Sequence, residues 1–346
     1  MTTSATIEFV LPPALEATRP PEARGMERDA VRMMVVDARS GGIEHSSFDA
    51  IAGFLSEGDA LVVNVSSTVP AALRATDRGG TPLMVHLSVP QPDGLWTVEV
   101  RTPAGHGTLP GPSLKPQVLG LDAGGSIELL ARRVGSARLW VANLRPSLRL
   151  DSYLAAHGGP IRYGASAEPR PLSDYQTVYG IKPGSAEMAS AGRPFTRRLL
   201  IELIARGVEI LPIVLHCGVS SFEQGEAPDR ERYRVPPATA DAINAVHTRG
   251  SRVIAVGTTV VRALETVADG KGRVGPGHGY TDLVVGPDSE VRSVDGLITG
   301  WHEPGASHLG MVEAMAGALA ARSMYRSALE HGYLWHQFGD SCLILR

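Results

Sequence analysis

The sequence predicts an α/β fold: a partly parallel sheet with crossover helices, interrupted by an inserted antiparallel β-barrel domain. Three observations lead there. Residues 252–265, RVIAVGTTVVRALE, run a β-branched strand through Gly257 into an amphipathic helix. From 208 to 268 strand and helix patterns alternate, which calls for parallel neighbours joined by crossovers. From 68 to 150 short β-rich runs (PLMVHLSV, LWTVEVRT, SIELLARRV, RLWVANL) recur between Gly, Pro and Asp turns without a helical pattern, as in a small barrel. The expected division is a discontinuous α/β domain, 1–67 and 151–346, carrying the barrel at 68–150.

Taken in order, a proline-rich lead (LPPALEATRPPEARG) reads as extended surface chain. Residues 31–37 form a strand, and SGGIEHSSFDAI a turn entering a helix through Phe54 and Leu55. A buried strand follows at 60–65, with Asn64 near its end. After the barrel come a short helix at 151–156 and a long Gly/Ser-rich loop at 173–196 holding Tyr175 and Tyr179; loops of that length tend to be functional. Thr196 caps a helix whose apolar face is Leu199, Leu200, Leu203 and Ile204, ended by Gly207. The strand at 208–218 contains Pro212, so it is bent or at an edge. ATADAINAVHTRG is a helix feeding the strand at 252. TDLVVGP and LITGWHEP hold strands, residues 308–332 one or two helices, and LWHQFGDSCLIL closes as a strand.

Composition narrows the function. The chain has 346 residues, 43% of them hydrophobic, and a net charge of −3 that does not advertise nucleic acid. No apolar run is long enough to span a membrane and MTTSATIEF is no signal peptide, so a cytoplasmic protein is expected. Cys217 and Cys342 belong to no CxxC motif. Neither HExxH, GxGxxG nor a phosphate loop occurs, Gly275–Pro276–Gly277–His278–Gly279 reads as a turn, and Gly305–Ala306–Ser307–His308 misses the fifth residue of a nucleophile elbow. Histidines 302 and 308 lack the spacing of a helical metal pair, and no metal is expected.

What stands out is a set of polar segments at the ends of apolar strands. These are Asn64; residues 175–179 with Gln176; Gly184–Ser185; Ala191–Gly192; residues 215–218 with His216 and Gly218; Gly257–Thr258–Thr259 with Arg262; and Thr299 with His302. The Gly-Thr-Thr corner places N–H groups and hydroxyls at a positive helix end, which suits a carboxylate, a phosphate or a ribose. Ligands in α/β sheets sit beyond the strands' carboxyl ends. Residues 257–259, His216, Tyr175 and His302 are therefore expected around one nucleoside-sized cavity. Arg262 on the first helical turn is expected to pair with Glu265 or to face a substrate carboxylate, with little bearing on stability.

The motifs RVIAVGTTVVRALE, DYQTVYG with Gly184–Ser185, AGRPFT, LHCGVSSF, DGLIT with His302 and Pro304, and FGDSCLIL, in this order along nearly the whole chain, resemble the S-adenosylmethionine:tRNA ribosyltransferase-isomerases of queuosine biosynthesis. The resemblance implies that the ribosyl of S-adenosylmethionine is moved onto a deazaguanine in tRNA with release of adenine and methionine, and that no metal takes part. Under it the candidate catalytic residues are His216, His302 and Tyr175. The candidate substrate-binding residues are Asn64, Gln176, Tyr179, Ser185, Gly192, Thr196, Gly218, Phe222, Gly257, Thr258, Thr259, Arg262 and Thr299. The chain departs from the family pattern where an acid is usual, at Val65, and where arginines are usual, at Ser67 and Ala72, and loses a histidine at Pro194, a His-x-Met-His segment before Glu231, and a lysine at Gly305. Lost cations weaken phosphate contacts. The departures therefore predict weak, salt-sensitive tRNA binding, and leave open a small-molecule or intramolecular acceptor, or a silent nucleoside-binding protein.

Overall fold

A computed structural model describes residues 7–164, 167–219 and 229–346. Among these, the larger sheet has nine strands, in the spatial order Gly277–Thr281, Glu231–Val235, Glu209–Leu215, Ala60–Asn64, Val253–Val256, Gly296–Gly300, Ser341–Leu345, Arg32–Asp37 and Ile43–Ser47. Glu209–Leu215, Ala60–Asn64, Val253–Val256 and Gly296–Gly300 run parallel, so their carboxyl ends share one edge. Ala60–Asn64 and Val253–Val256 are buried throughout, which explains their unbroken apolar sequence.

Alternate residues of these strands feed two cores. Val62, Ala255, Ile213 and Leu215 face Pro237–Thr248, Thr258–Val267 and the C-terminal helices. Leu61, Val63, Ile254 and Val256 face Arg197–Ala205 and Phe48. Period-two alternation against helices on both faces makes the three-layer sandwich.

The second sheet closes on itself. Leu139–Arg145, Ser126–Arg132, Gln117–Leu121, Ala72–Thr76, Pro82–Pro90 and Trp96–Ala104 follow in order, and the last pairs with the first. Leu73, Val85, Val98 and Trp140 fill the barrel, with Tyr153 and Leu154 of helix Leu150–His157 packed on the same cluster. The Tyr153 hydroxyl donates to the Asp122 carbonyl at 2.6 Å.

Several local expectations are corrected. The segment after the first strand is not a helix through Leu55; Ile43–Ser47 pairs antiparallel with Arg32–Asp37 as an edge strand, and Phe48–Gly53 is a 3-10 turn. Gly-Pro-Gly-His-Gly is not merely a turn, since Gly277–Thr281 is the sheet's other edge strand, while TDLVVGP forms none beyond Thr281. Ile204 is exposed and leaves the helix face expected of it. Thr196 does cap Arg197–Ala205, accepting the Leu199 N–H at 3.1 Å. Pro212 sits in the half of its strand that pairs only with Ala60–Asn64, beyond the two-residue contact with Glu231–Val235, so its missing N–H costs no ladder bond. The C-terminal helical stretch is two helices, His308–Ala316 and Ala318–Glu330, parted at Gly317 with φ +79°.

Candidate functional site

The parallel strands end together, and the chain leaving each one bends around a shared hollow. Beyond Val256 the backbone turns at Gly257, with φ +100°, a conformation that favours glycine. Gly257 is itself the N-cap of Thr258–Val267, and neither threonine caps through its side chain, contrary to the cap role their types suggest. The threonines are thereby left to face the hollow. It measures about 240 Å³ and is lined by residues 257–259, Arg262, Gly218, Tyr175 and residues 299–303, among others. Ile161 and Tyr163, from the barrel's flank, close one side.

Eight of the sequence-predicted residues thus meet at one cavity: Tyr175, Gly218, Gly257, Thr258, Thr259, Arg262, Thr299 and His302. His302 Nε2 shares a hydrogen bond with Thr299 Oγ1 at 2.8 Å, and its carbonyl accepts from Trp335 Nε1 at 3.0 Å, so ring and backbone are both fixed. The ring stacks on His308, centroids 4.6 Å apart and planes 8° apart. Burial, then the neighbouring His308, holds the His302 pKa well below 6.5. Burial, then Arg262, lowers that of His308 to about 4. Both rings are neutral at pH 7, able to accept or donate one proton at a fixed nitrogen. Burial raises the Tyr175 phenol, and the ring packs 5.4 Å from Phe338.

The remaining predicted residues stand behind this wall. His216 Nδ1 meets Ser66 Oγ at 2.7 Å, Ser66 Oγ meets Ser185 Oγ at 2.6 Å, and Ser185 Oγ accepts the Cys217 N–H at 3.0 Å. Burial, then Arg232, lowers the His216 pKa to about 4, and Gly184 lies against its ring. Asn64 ties two strand ends, donating to the Leu215 carbonyl at 2.8 Å and accepting the Leu215 N–H at 3.0 Å; it also reaches Thr259 Oγ1 at 3.4 Å. Gln176 brackets the Thr68 backbone with two hydrogen bonds, at 3.0 and 2.8 Å. Tyr179 lies over Gly192, and Thr196 donates to Asp29 at 2.8 Å besides capping its helix. Phe222 lies outside the described residues.

Arg262 does not pair with Glu265, the first of its two expected roles. Glu265 instead accepts from the Arg292 N–H, the Ser293 N–H and the Ser293 hydroxyl. Arg262 Nη1 pairs with Glu231, 31 residues back on the adjacent antiparallel strand, and its Nε donates to the Leu283 carbonyl at 2.9 Å. Glu231 in turn accepts the Gly218 N–H at 2.7 Å. Burial pushes the Glu231 carboxyl up, and Arg262 offsets that. The pair therefore anchors the cavity wall at Gly218.

Further lining residues were not among the candidates. Glu303, His308 and Ser307, whose buried Oγ has no hydrogen-bond partner among the described residues, all border the cavity. Ser307 and His308 were weighed only as part of a nucleophile elbow that lacks its fifth residue, and His308 with His302 only as a metal pair. His336 lines it with φ +76°, a strained setting for a non-glycine residue that no sequence signal announces. Among the described residues, no three His, Cys, Asp or Glu side chains converge as metal ligands, and no helix is long and apolar enough to cross a membrane.

A polar cavity at the carboxyl edge of the parallel strands of a partly parallel sheet, walled by a barrel, defines a small-molecule site of the α/β type. Residues 4–344 match the family model described as queuosine biosynthesis protein, and the chain belongs to that family. It is 37% identical over 352 residues to an S-adenosylmethionine:tRNA ribosyltransferase-isomerase of Moorella thermoacetica, covering 98% of each chain. It is 34% identical to the protein of that name from Thermotoga maritima, again over 98% of each. The crystal structure of the S-adenosylmethionine tRNA ribosyltransferase from Thermotoga maritima superposes with a TM-score of 0.55 at 30% identity, over 98% of this chain and 99% of that one.

Proposed function

We propose that this protein is an S-adenosylmethionine-dependent ribosyltransferase-isomerase that acts on a deazaguanine in tRNA, releasing adenine and methionine. The observation that supports it most is the convergence of residues 257–259, Thr299 and His302 on one cavity in a chain so similar to enzymes of that name. No finding favours a small-molecule acceptor or a silent binding protein. The reading assigns the nucleoside of S-adenosylmethionine to the cavity, with N–H groups of the first turn of Thr258–Val267, which no side chain caps, and two threonine hydroxyls offered to its polar groups. His302, held neutral and oriented by Thr299, is the candidate proton acceptor or donor at the reacting ribosyl. Tyr175 is a second candidate, a phenol protonated at neutral pH whose pKa burial raises further. His216 takes a positioning role, since it stands outside the cavity lining with its Nδ1 bonded to Ser66. A tRNA acceptor supports the cytoplasmic location expected from the sequence.

The test is adenine release from S-adenosylmethionine, followed by chromatography, with tRNA carrying the aminomethyl-deazaguanine. Release that requires this tRNA is expected. No release under any tRNA condition would refute the reading.

A further inference from the structure

The arginines expected at Ser67 and Ala72 for phosphate contact are absent, and in sequence the cluster Arg230, Arg232 and Arg234 looks diluted by Asp229 and Glu231. The fold removes that dilution. Asp229 is held by Arg133 of the barrel at 2.6 Å. Glu231 is turned to the opposite face, buried against Arg262. Strand periodicity places Arg230, Arg232 and Arg234 together on the outer face, and all three are exposed. Among the described residues, the Arg232 and Arg234 side chains have neither hydrogen-bond nor ion-pair partners.

The neighbouring edge strand completes this face. Tyr280 stands opposite Arg232 and the exposed His278 opposite Arg234. The Arg230 guanidinium lies 5.3 Å from the Tyr280 ring, whose hydroxyl donates to the Pro90 carbonyl of the barrel at 2.9 Å. The ribbon thus bridges barrel and sheet, and its first residue adjoins Asp229, which lines the cavity. Cations two residues apart on a strand are spaced by about 7 Å, comparable with successive phosphates on an RNA strand. A row of unneutralised guanidinium groups beside an aromatic ring is complementary to a phosphate backbone with accessible bases.

We infer that the outer face of Glu231–Val235 and Gly277–Thr281 is the surface on which the tRNA backbone is held, with Arg230, Arg232 and Arg234 as phosphate contacts replacing those lost elsewhere. The inference rests on the proposed function and supplies its RNA surface. It stands against the expectation of weak tRNA binding and keeps its salt sensitivity.

The experiment is an anisotropy titration of a labelled full-length tRNA transcript at two salt concentrations, using wild type, R232Q/R234Q and R232K/R234K. The Gln variant should bind roughly tenfold more weakly, with a log–log salt slope shallower by about 2. The Lys variant should stay within a few-fold of wild type. S-adenosylmethionine binding, by equilibrium dialysis, should be unchanged in both. Equal tRNA affinity and slope in R232Q/R234Q, while wild type still transfers ribosyl to tRNA, would overturn this surface and leave the proposed function standing. A wild type that binds no tRNA would overturn both. Displacement of the tRNA by an acidic peptide as readily as by unlabelled tRNA would make this a protein-binding face and overturn the RNA assignment.

Discussion

Arg262 and Glu231 form a buried ion pair across the back of the cavity, their side chains 7% and 11% exposed. Glu231 also takes the Gly218 N–H, so one carboxylate links the helix after Gly257 to the strand end after Leu215. Removing one partner of such a pair leaves an uncompensated buried charge, a loss of about 3–5 kcal/mol. R262A should therefore lower the unfolding free energy strongly, where the sequence suggested little change. Adding E231Q to R262A should restore part of the loss. Denaturant melts of the two variants check this, and an unchanged midpoint for R262A would remove the pair's structural role.

Gly192 is set by Tyr179. A Cβ there would lie 1.9 Å from the Tyr179 hydroxyl oxygen. G192A should cost about 1–3 kcal/mol by overpacking, and Y179F in the same background should recover some of it. Thermal unfolding measures both. A G192A variant as stable as wild type would show that the tyrosine yields freely.

Acid sensitivity follows from the buried histidines. His308 and His216 have native pKa values lowered to about 4 from an ordinary 6.5. The unfolded chain binds these protons first as pH falls, so their contribution is fully present above pH 6.5 and is lost between 6.5 and about 4. H308L should flatten the fall in stability across that window by up to about 1.4 kcal/mol per pH unit. Urea midpoints at pH 7, 5.5 and 4.5 give the slope, and a slope identical to wild type would contradict the native state assigned to this ring.

H302A tests the chemistry rather than the fold. The residue is fixed by Thr299 and faces the cavity, so its loss should lower the rate of adenine release by about 10²–10⁴-fold, the range for general acid–base groups. S-adenosylmethionine should still bind, measured by calorimetry. A loss of less than about threefold would strip His302 of a catalytic role.

The sequence disclosed what depends on local pattern. The strand, glycine and helix of 252–265 were legible because β-branched residues stop at Gly257 and helical spacing begins after it. Thr196 as a cap was legible for the same reason. The edge strands were not: IEHSS has one apolar residue, and Gly277–Thr281 holds two glycines, so both owe their form to a neighbouring strand. The partner of Arg262 was hidden because it comes from 31 residues away through tertiary pairing, while Glu265, the local candidate, was already committed to Ser293. In the site, eight candidates line the cavity; Arg262 lies one turn into a helix and Tyr175 on the 3-10 turn Leu172–Tyr175, while the other six lie at strand ends. His216 and Asn64 share that position but point into hydrogen-bond networks, a difference that only side-chain direction reveals.

The central claim is transfer of the S-adenosylmethionine ribosyl to tRNA, and intact-mass spectrometry of the acceptor tests it most directly. The protein is incubated with S-adenosylmethionine and tRNA bearing the aminomethyl-deazaguanine, and the tRNA mass is compared with adenine released. The account predicts a tRNA heavier by one ribosyl-derived group per adenine, and no adenine without the tRNA. Adenine released at the same rate without RNA, or a tRNA of unchanged mass despite adenine release, would contradict it.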